Sequence, residues 1–232
     1  MKDLIILGAG GAGMDIISIV DAINKTGSQW NLLGFLDDNT ELIGKMILGY
    51  PVLGSIDEGE KYPEAYFCSS IAHPSNRKVR RNVYDRVRCY STKFAILIHP
   101  QTVVYAGVTF APGVVVNAGC VFGTNATVRE DVHFGYGCNI AHESTVQEHV
   151  ALGSGVNISS GVTIGSDCYI GAGVSTSHDI SILPDTLIGV GTAVVHNLNH
   201  NDTWIGVPAV PAQEFARTKY QLKKLLNLKE KP

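Results

Sequence analysis

Two stretches of this chain bring chemistry-bearing side chains together. The first is His142-Glu143, in "GCNIAHESTVQEHV". Imidazole exchanges its proton near neutral pH, so His142 has the chemistry of a general base. Glu143 beside it could orient the ring or raise its basicity. His178-Asp179 repeats the pairing further along. The second stretch is Gly8-Ala9-Gly10-Gly11-Ala12-Gly13, a G-x-G-x-x-G run after an apolar strand and before an amphipathic helix. In that setting Gly8, Gly10, Gly11 and Gly13 let backbone amides approach a phosphate at a helix N-terminus. Asp37 and Asp38 close the next strand, where an acid would meet a nucleoside hydroxyl or base edge. The unit lacks the second half of a full dinucleotide fold, which favours a mononucleotide or nucleotide sugar over NAD. Each feature has a plain alternative: a solvated surface histidine, and glycines that serve only a tight turn.

The elements that must hold these residues differ in kind. Residues 1–97 alternate short apolar runs ("DLIILGAG", "WNLLGFLDD", "AYFCSS", "KFAILI") with helical stretches ("GMDIISIVDAINKTG", "RKVRRNVYDRV"), the pattern of a small parallel α/β, Rossmann-like unit. From residue 98 a six-residue period takes over. Every sixth residue from Val104 to Val194 forms a column of sixteen in which only Thr176 is not large and apolar. A second column, mostly Gly, Asn or Asp, marks the turn of the hexad, as at Gly113, Asn125, Asp131 and Gly161. This period fits a β-helix, one strand and one turn per hexad and three hexads per coil. Residues eighteen apart then stack about 4.8 Å apart. Ser160 falls one coil above His142, His178 two and His196 three, so a Ser160 amide could face the same cleft as the imidazole. Glu143 and His149 occupy turn positions that otherwise hold Gly, Asn or Asp, and broken local rules mark candidate functional positions. Cys120 and Cys138 should stack as buried thiols. No metal is expected.

The bulk numbers exclude several classes. A net charge of −3 over 232 residues argues against nucleic acid as a partner. No apolar run reaches the roughly 20 residues of a membrane span. Five cysteines without a CxxC motif suggest free thiols and a cytoplasmic setting. Residues 213–232 read as a basic amphipathic helix that caps the open β-helix end or packs on a neighbour.

Taken together, the hexads, "GAGGAG", "GFLDD", "IHPQTVV", "HES", "IGAG" and "GVPA" resemble the sugar O-acyltransferases of the sialic acid O-acetyltransferase (NeuD) family, which includes bacterial nucleotide-aminosugar N-acetyltransferases. The resemblance runs over about residues 3–212. It implies a Rossmann-like domain (1–97), a left-handed parallel β-helix (98–212) and a C-terminal helix (213–232), assembled as a homotrimer with acetyl-CoA between neighbouring β-helices. It implies a nucleotide-linked sugar held by the glycine loop and Asp37-Asp38, and His142 as general base with Glu143 orienting it. The Ser160 amide would polarise the thioester, with Ser160, Gly161 and Gly173 along the acetyl-CoA. The implied reaction is N-acetylation of a 4-amino-4,6-dideoxyhexose for a bacterial surface glycan. O-acetylation of a sugar such as sialic acid and a non-catalytic nucleotide-sugar-binding β-helix are the alternatives. Family members carry His where this chain has Ala12 and Ala151, departures that bear on the acceptor.

Overall fold

The computed structural model describes residues 1–225, and for Asn76, Arg77 and Leu225 the backbone alone. The α/β unit opens with β1 (Lys2–Leu7), α1 (Gly11–Thr26) and β2 (Trp30–Leu36). It continues with a hairpin of β3 (Met46–Ile47) and β4 (Tyr50–Gly54), then β5 (Tyr66–Ser69) and α2 (Arg77–Arg88). The strands lie in the order β3-β4-β2-β1-β5, parallel except for β3. The continuous apolar run of β1 follows from cover on both faces. Leu4 and Ile6 pack with Ile16 and Val20 of α1. Ile5 and Leu7 pack with Val83 and Val87 of α2.

The run expected to form a fourth strand divides instead. Phe94 bridges to Phe67 at the edge of the α/β sheet. Three residues on, β6 (Leu97–Ile98) already pairs with Val115–Val116 as the first rung of the β-helix. From β6 through β22 (Ala193–Val194), seventeen two-residue strands wind into three parallel sheets. Partners stand eighteen residues apart, as in Val121↔Asn139, Thr127↔Thr145 and His133↔Ala151. The coil is the left-handed parallel β-helix expected. Phe122, Phe134, Leu152 and Ile170 fill the prism, and the rings of Phe110, Phe122 and Phe134 stack edge-to-face at 5.0 Å. Val104 is the exception to its column: it sits in the first coil, at the uncovered end, and is 45% exposed.

Thr176 breaks the apolar column for a reason. At its rung the ladder narrows to one pair, Asn157↔Ser175, and the Thr176 hydroxyl accepts the Ser159 amide at 2.9 Å. Thr176→Val keeps the shape and removes the acceptor. The variant is expected to lose about 1 kcal/mol, the low end of the cost of an unpaired donor because the Ser159 amide is part-buried, read as a lower melting temperature.

Val115, His133 and Ala151 point out of the prism yet are buried, because the α/β unit packs on this face. Val115 joins the α1 core. His133 lies against the seam with its Nδ1 unpartnered, and burial, with Arg80 nearby, pushes its pKa down to about 3. The ring is therefore neutral near pH 7. At the other end, β23 (Thr203–Ile205) and β24 (Val210–Pro211) close the same sheet, and α3 (Ala212–Leu225) packs on both. Phe215, Tyr220 and Leu222 of α3 remain exposed. The remainder of the expected helix, 226–232, lies outside the described residues. Among the described residues no helix is long and apolar enough to cross a membrane.

Candidate active site

A cavity of about 460 Å³ opens at the C-terminal end of β1, lined by Gly8, Gly10, Gly11, Asp37, Ser70 and Ile71, among others. Its place follows from the topology. The chain leaves β1 toward β2 on one side and toward β5 on the other, so the loops after β1 and β5 part and leave a crevice. Gly8 takes φ +95°, and a β-carbon there would stand 2.8 Å from the Ser70 hydroxyl, which hydrogen-bonds the Gly8 carbonyl at 2.7 Å. Gly10 and Gly11 have open space before them. They begin α1, whose first amides lack helical acceptors and carry the positive end of the helix dipole. Gly13 packs against Phe35.

Asp37 and Asp38 part company. Asp37 lines the cavity, and its carboxylate accepts the amides of Ala9 at 2.8 Å and Asn39 at 2.8 Å, which fixes the glycine loop. Asp38 turns to α2 and pairs with Arg86 at 2.6 Å. The Arg86 hydrogen bond holds its carboxyl below the usual range. Its role in the fold is to tie α2 to β2. Ser70, Ile71, Ala72 and His73, from the loop after β5, form the cavity wall that motif reading missed. The β1–β5 divergence was the available signal.

The second candidate centre is a corner of the β-helix. Stacking brings Thr124, His142, Ser160 and His178 into one column: the Glu143 amide donates to the Thr124 carbonyl, Gly161 to His142 and Asp179 to Ser160, all at 3.0–3.1 Å. Gly123 lies directly under the His142 amide. A β-carbon at 123 would stand 2.6 Å from that nitrogen, so only glycine lets the coils close here. Glu143 adopts φ +60°, a left-handed conformation unusual for a residue of its type. The His142 and Glu143 side chains are exposed, and Nδ1 to Oε2 is 3.9 Å, beyond hydrogen-bond reach. The Ser160 hydroxyl meets His178 Nδ1 at 2.9 Å. Among the described residues no carbonyl accepts the Ser160 amide. Gly161 shares this corner, whereas Gly173 belongs to the all-glycine corner with Gly119, Gly137, Gly155 and Gly191. Cys120 and Cys138 stack as buried free thiols.

The two centres lie on different sides of the prism. Along one coil the order is Val121–Phe122, the Asn125 corner, Thr127–Val128, the Asp131 corner, His133–Phe134, the Gly137 corner. The α/β unit covers the His133 face and reaches the Gly137 corner, where burial and the neighbouring Asp15 of α1 raise the Tyr136 pKa. His142 stands over Thr124, on the vertex between the two faces that the α/β unit leaves free. A cavity of about 600 Å³ at the Asp131 corner, between α2 and the β-helix, is lined by Arg81, Arg88 and Arg129 against Asp85, Glu130 and Glu148. Its balanced charges mark a solvated seam. Among the described residues no cluster of His, Cys, Asp or Glu could hold a metal ion.

Residues 3–87 match the family described as PglD N-terminal domain. No curated protein sequence matches the chain. Solved structures do. The acetyltransferase domain of PglB from Neisseria gonorrhoeae FA1090 superposes with a TM-score of 0.80 at 24% identity, over 91% of this chain and 100% of that one. PerB from Caulobacter crescentus, solved with CoA and GDP-perosamine, gives 0.81 at 22%, over 91% and 97%. WeeI from Acinetobacter baumannii AYE gives 0.74 at 22%, over 91% and 100%. The two-part fold of this chain is therefore theirs over about nine-tenths of its length.

Proposed function

We propose that the chain transfers an acetyl group from acetyl-CoA to the amino group of a nucleotide-linked 4-amino-4,6-dideoxyhexose. The observation that carries the reading is the column at the exposed corner: an unengaged imidazole, His142, one coil below an amide without an acceptor, that of Ser160. His142 takes a proton from the sugar amine as its nitrogen attacks the thioester carbonyl. The carbonyl oxygen becomes an oxyanion and accepts the Ser160 amide, a contact worth about 3–4 kcal/mol in comparable sites. The tetrahedral intermediate then collapses. The carbon–sulfur bond breaks, and the CoA thiolate takes its proton from the His142 imidazolium. Holding both substrates in one cleft supplies the remaining advantage without an acyl-enzyme. Glu143 steadies the ring once substrates close the site, since catalytic hydrogen bonds are often long before they bind.

The nucleotide belongs at the glycine loop, its phosphates at the α1 N-terminus and its nucleoside toward Asp37. Because this cavity and His142 lie on different sides of the prism, one chain does not complete the site. A second copy does, and the reading carries a homotrimer with a site at each junction. Two of the structural relatives support the substrates: one PglB domain structure holds acetyl coenzyme A, and the Caulobacter protein is a GDP-perosamine N-acetyl transferase.

Purified protein given acetyl-CoA and a panel of UDP-, GDP- and dTDP-linked 4-amino sugars should release CoA thiol with one of them and run as a trimer by native mass. Acetylation of a hydroxyl sugar instead would replace N- by O-transfer. No thermal shift with saturating acetyl-CoA would leave a binding protein.

A further inference from the structure

The corner with the other broken turn rule does not touch the proposed chemistry. His149 adopts φ +60° and is 7% exposed. Its Nδ1 lies 3.0 Å from Asp131 Oδ2, one coil below. Asp131 is itself fully buried, with φ +53°. Its other oxygen, Oδ1, accepts Arg80 of α2 at 2.7 Å, and its carbonyl accepts Arg80 Nε at 2.8 Å. The third arm of this guanidinium, which is 1% exposed, donates to the Ile71 carbonyl at 2.8 Å. Ile71 belongs to the wall of the glycine-loop cavity.

We infer that His149 is a positioning residue for that cavity, acting through Asp131 and Arg80 on the loop Ser69–His73. The wall is held inside the α/β unit by Ser70, whose amide donates to Leu7 and whose hydroxyl reaches Leu7 and Gly8, and toward the β-helix by Arg80 on Ile71. Asp131 is acceptor-only when ionised, so the His149 nitrogen facing it is the protonated one. That bond occupies the second carboxylate oxygen, orients the first toward Arg80 and leaves the guanidinium one pose. A residue costly to hold at positive φ is retained where it supplies this donor. The cavity wall is thus set by the β-helix against which it docks. The coupling rests on the proposed function only where the cavity's ligand is called a nucleotide.

The test separates the donor from the fold. His149→Gly suits φ +60° and removes the donor. His149→Asn also tolerates that backbone, and its Nδ2 occupies the place of the imidazole Nδ1. Val146→Ala, a fully buried prism position, lowers global stability without touching the network. Amide hydrogen exchange over residues 66–76 should quicken roughly tenfold in His149→Gly, the scale of one lost charge-assisted hydrogen bond. It should return to the wild-type rate in His149→Asn and stay there in Val146→Ala under native conditions. UDP and GDP affinities, by calorimetry, should follow the same order. Unchanged exchange in His149→Gly, or equal quickening in Val146→Ala, would falsify the coupling. If exchange follows the expected order while neither nucleotide binds wild-type protein, the coupling stands and the nucleotide reading falls.

Discussion

His142→Ala is expected to lower turnover by about 10²- to 10⁴-fold, the range of a positioned general base, while leaving the melting temperature and the proposed trimeric assembly unchanged. The separation of the two readouts comes from the geometry. The imidazole is 62% exposed, and its nearest charged partner is 3.9 Å away. Its removal opens no cavity and orphans no buried group, so the stability change should stay within about 0.5 kcal/mol. The KM for acetyl-CoA should move little, because the proposed mechanism assigns the thioester oxygen to the Ser160 amide and not to the imidazole. Steady-state kinetics with the acceptor found in the panel, beside a melting curve, decides it. Wild-type turnover in the variant would remove His142 from the reaction, and a large fall in melting temperature would mean that the ring has a structural partner. Glu143→Gly is expected to cost far less rate, and its backbone should relax, since φ +60° suits glycine.

What the sequence made legible follows from where each signal is stored. The β-helix is written locally and repeatedly: one inward apolar residue and one turn residue per six, so each coil confirms the last. Even Thr176, the break in that column, has its local reason in the Ser159 amide. The glycine loop was legible because its glycines, its strand and its helix are contiguous. Contacts between distant segments were not. Asp37 and Asp38 look equivalent in sequence, yet one fastens the glycine loop and the other Arg86, because which carboxylate faces the cavity depends on how α2 packs. "KFAILI" has the composition of one strand, but its two ends serve different sheets. The β3–β4 hairpin went unread because its strands are short and its turn places Leu48, at φ +45°, where Asn or Gly is usual. His149 announced itself as a broken turn rule, but nothing near it in sequence names its partners. Arg80 is 51 residues from Asp131 and belongs to a helix that reads as surface-charged.

That buried pair carries the largest expected effect on stability. Asp131→Asn is expected to lower stability by about 3–5 kcal/mol, the cost of leaving a buried charge without its counter-ion. At roughly 2–4 °C per kcal/mol for a chain of this size, the melting temperature should fall by about 6–20 °C. Asparagine is the informative replacement. It keeps the side-chain shape and tolerates φ +53°, so neither a cavity nor backbone strain confuses the result. What is lost is the charge that two buried partners, Arg80 and His149, converge on. Arg80→Met alone should be costly for the complementary reason, a buried carboxylate left with His149. Because both substitutions break one interaction, the double variant Arg80→Met with Asp131→Asn should be less destabilised than the two single losses added together. Simple additivity would mean that the ion pair contributes nothing beyond the packing of its parts. Arg81 with Asp167 and Arg88 with Glu130, the more exposed pairs along the same helix, should each change stability by under about 1 kcal/mol when broken. Of the charged contacts that join α2 to the β-helix, beside the apolar cover of Val115, it is the one desolvated pair and not their number that is expected to count.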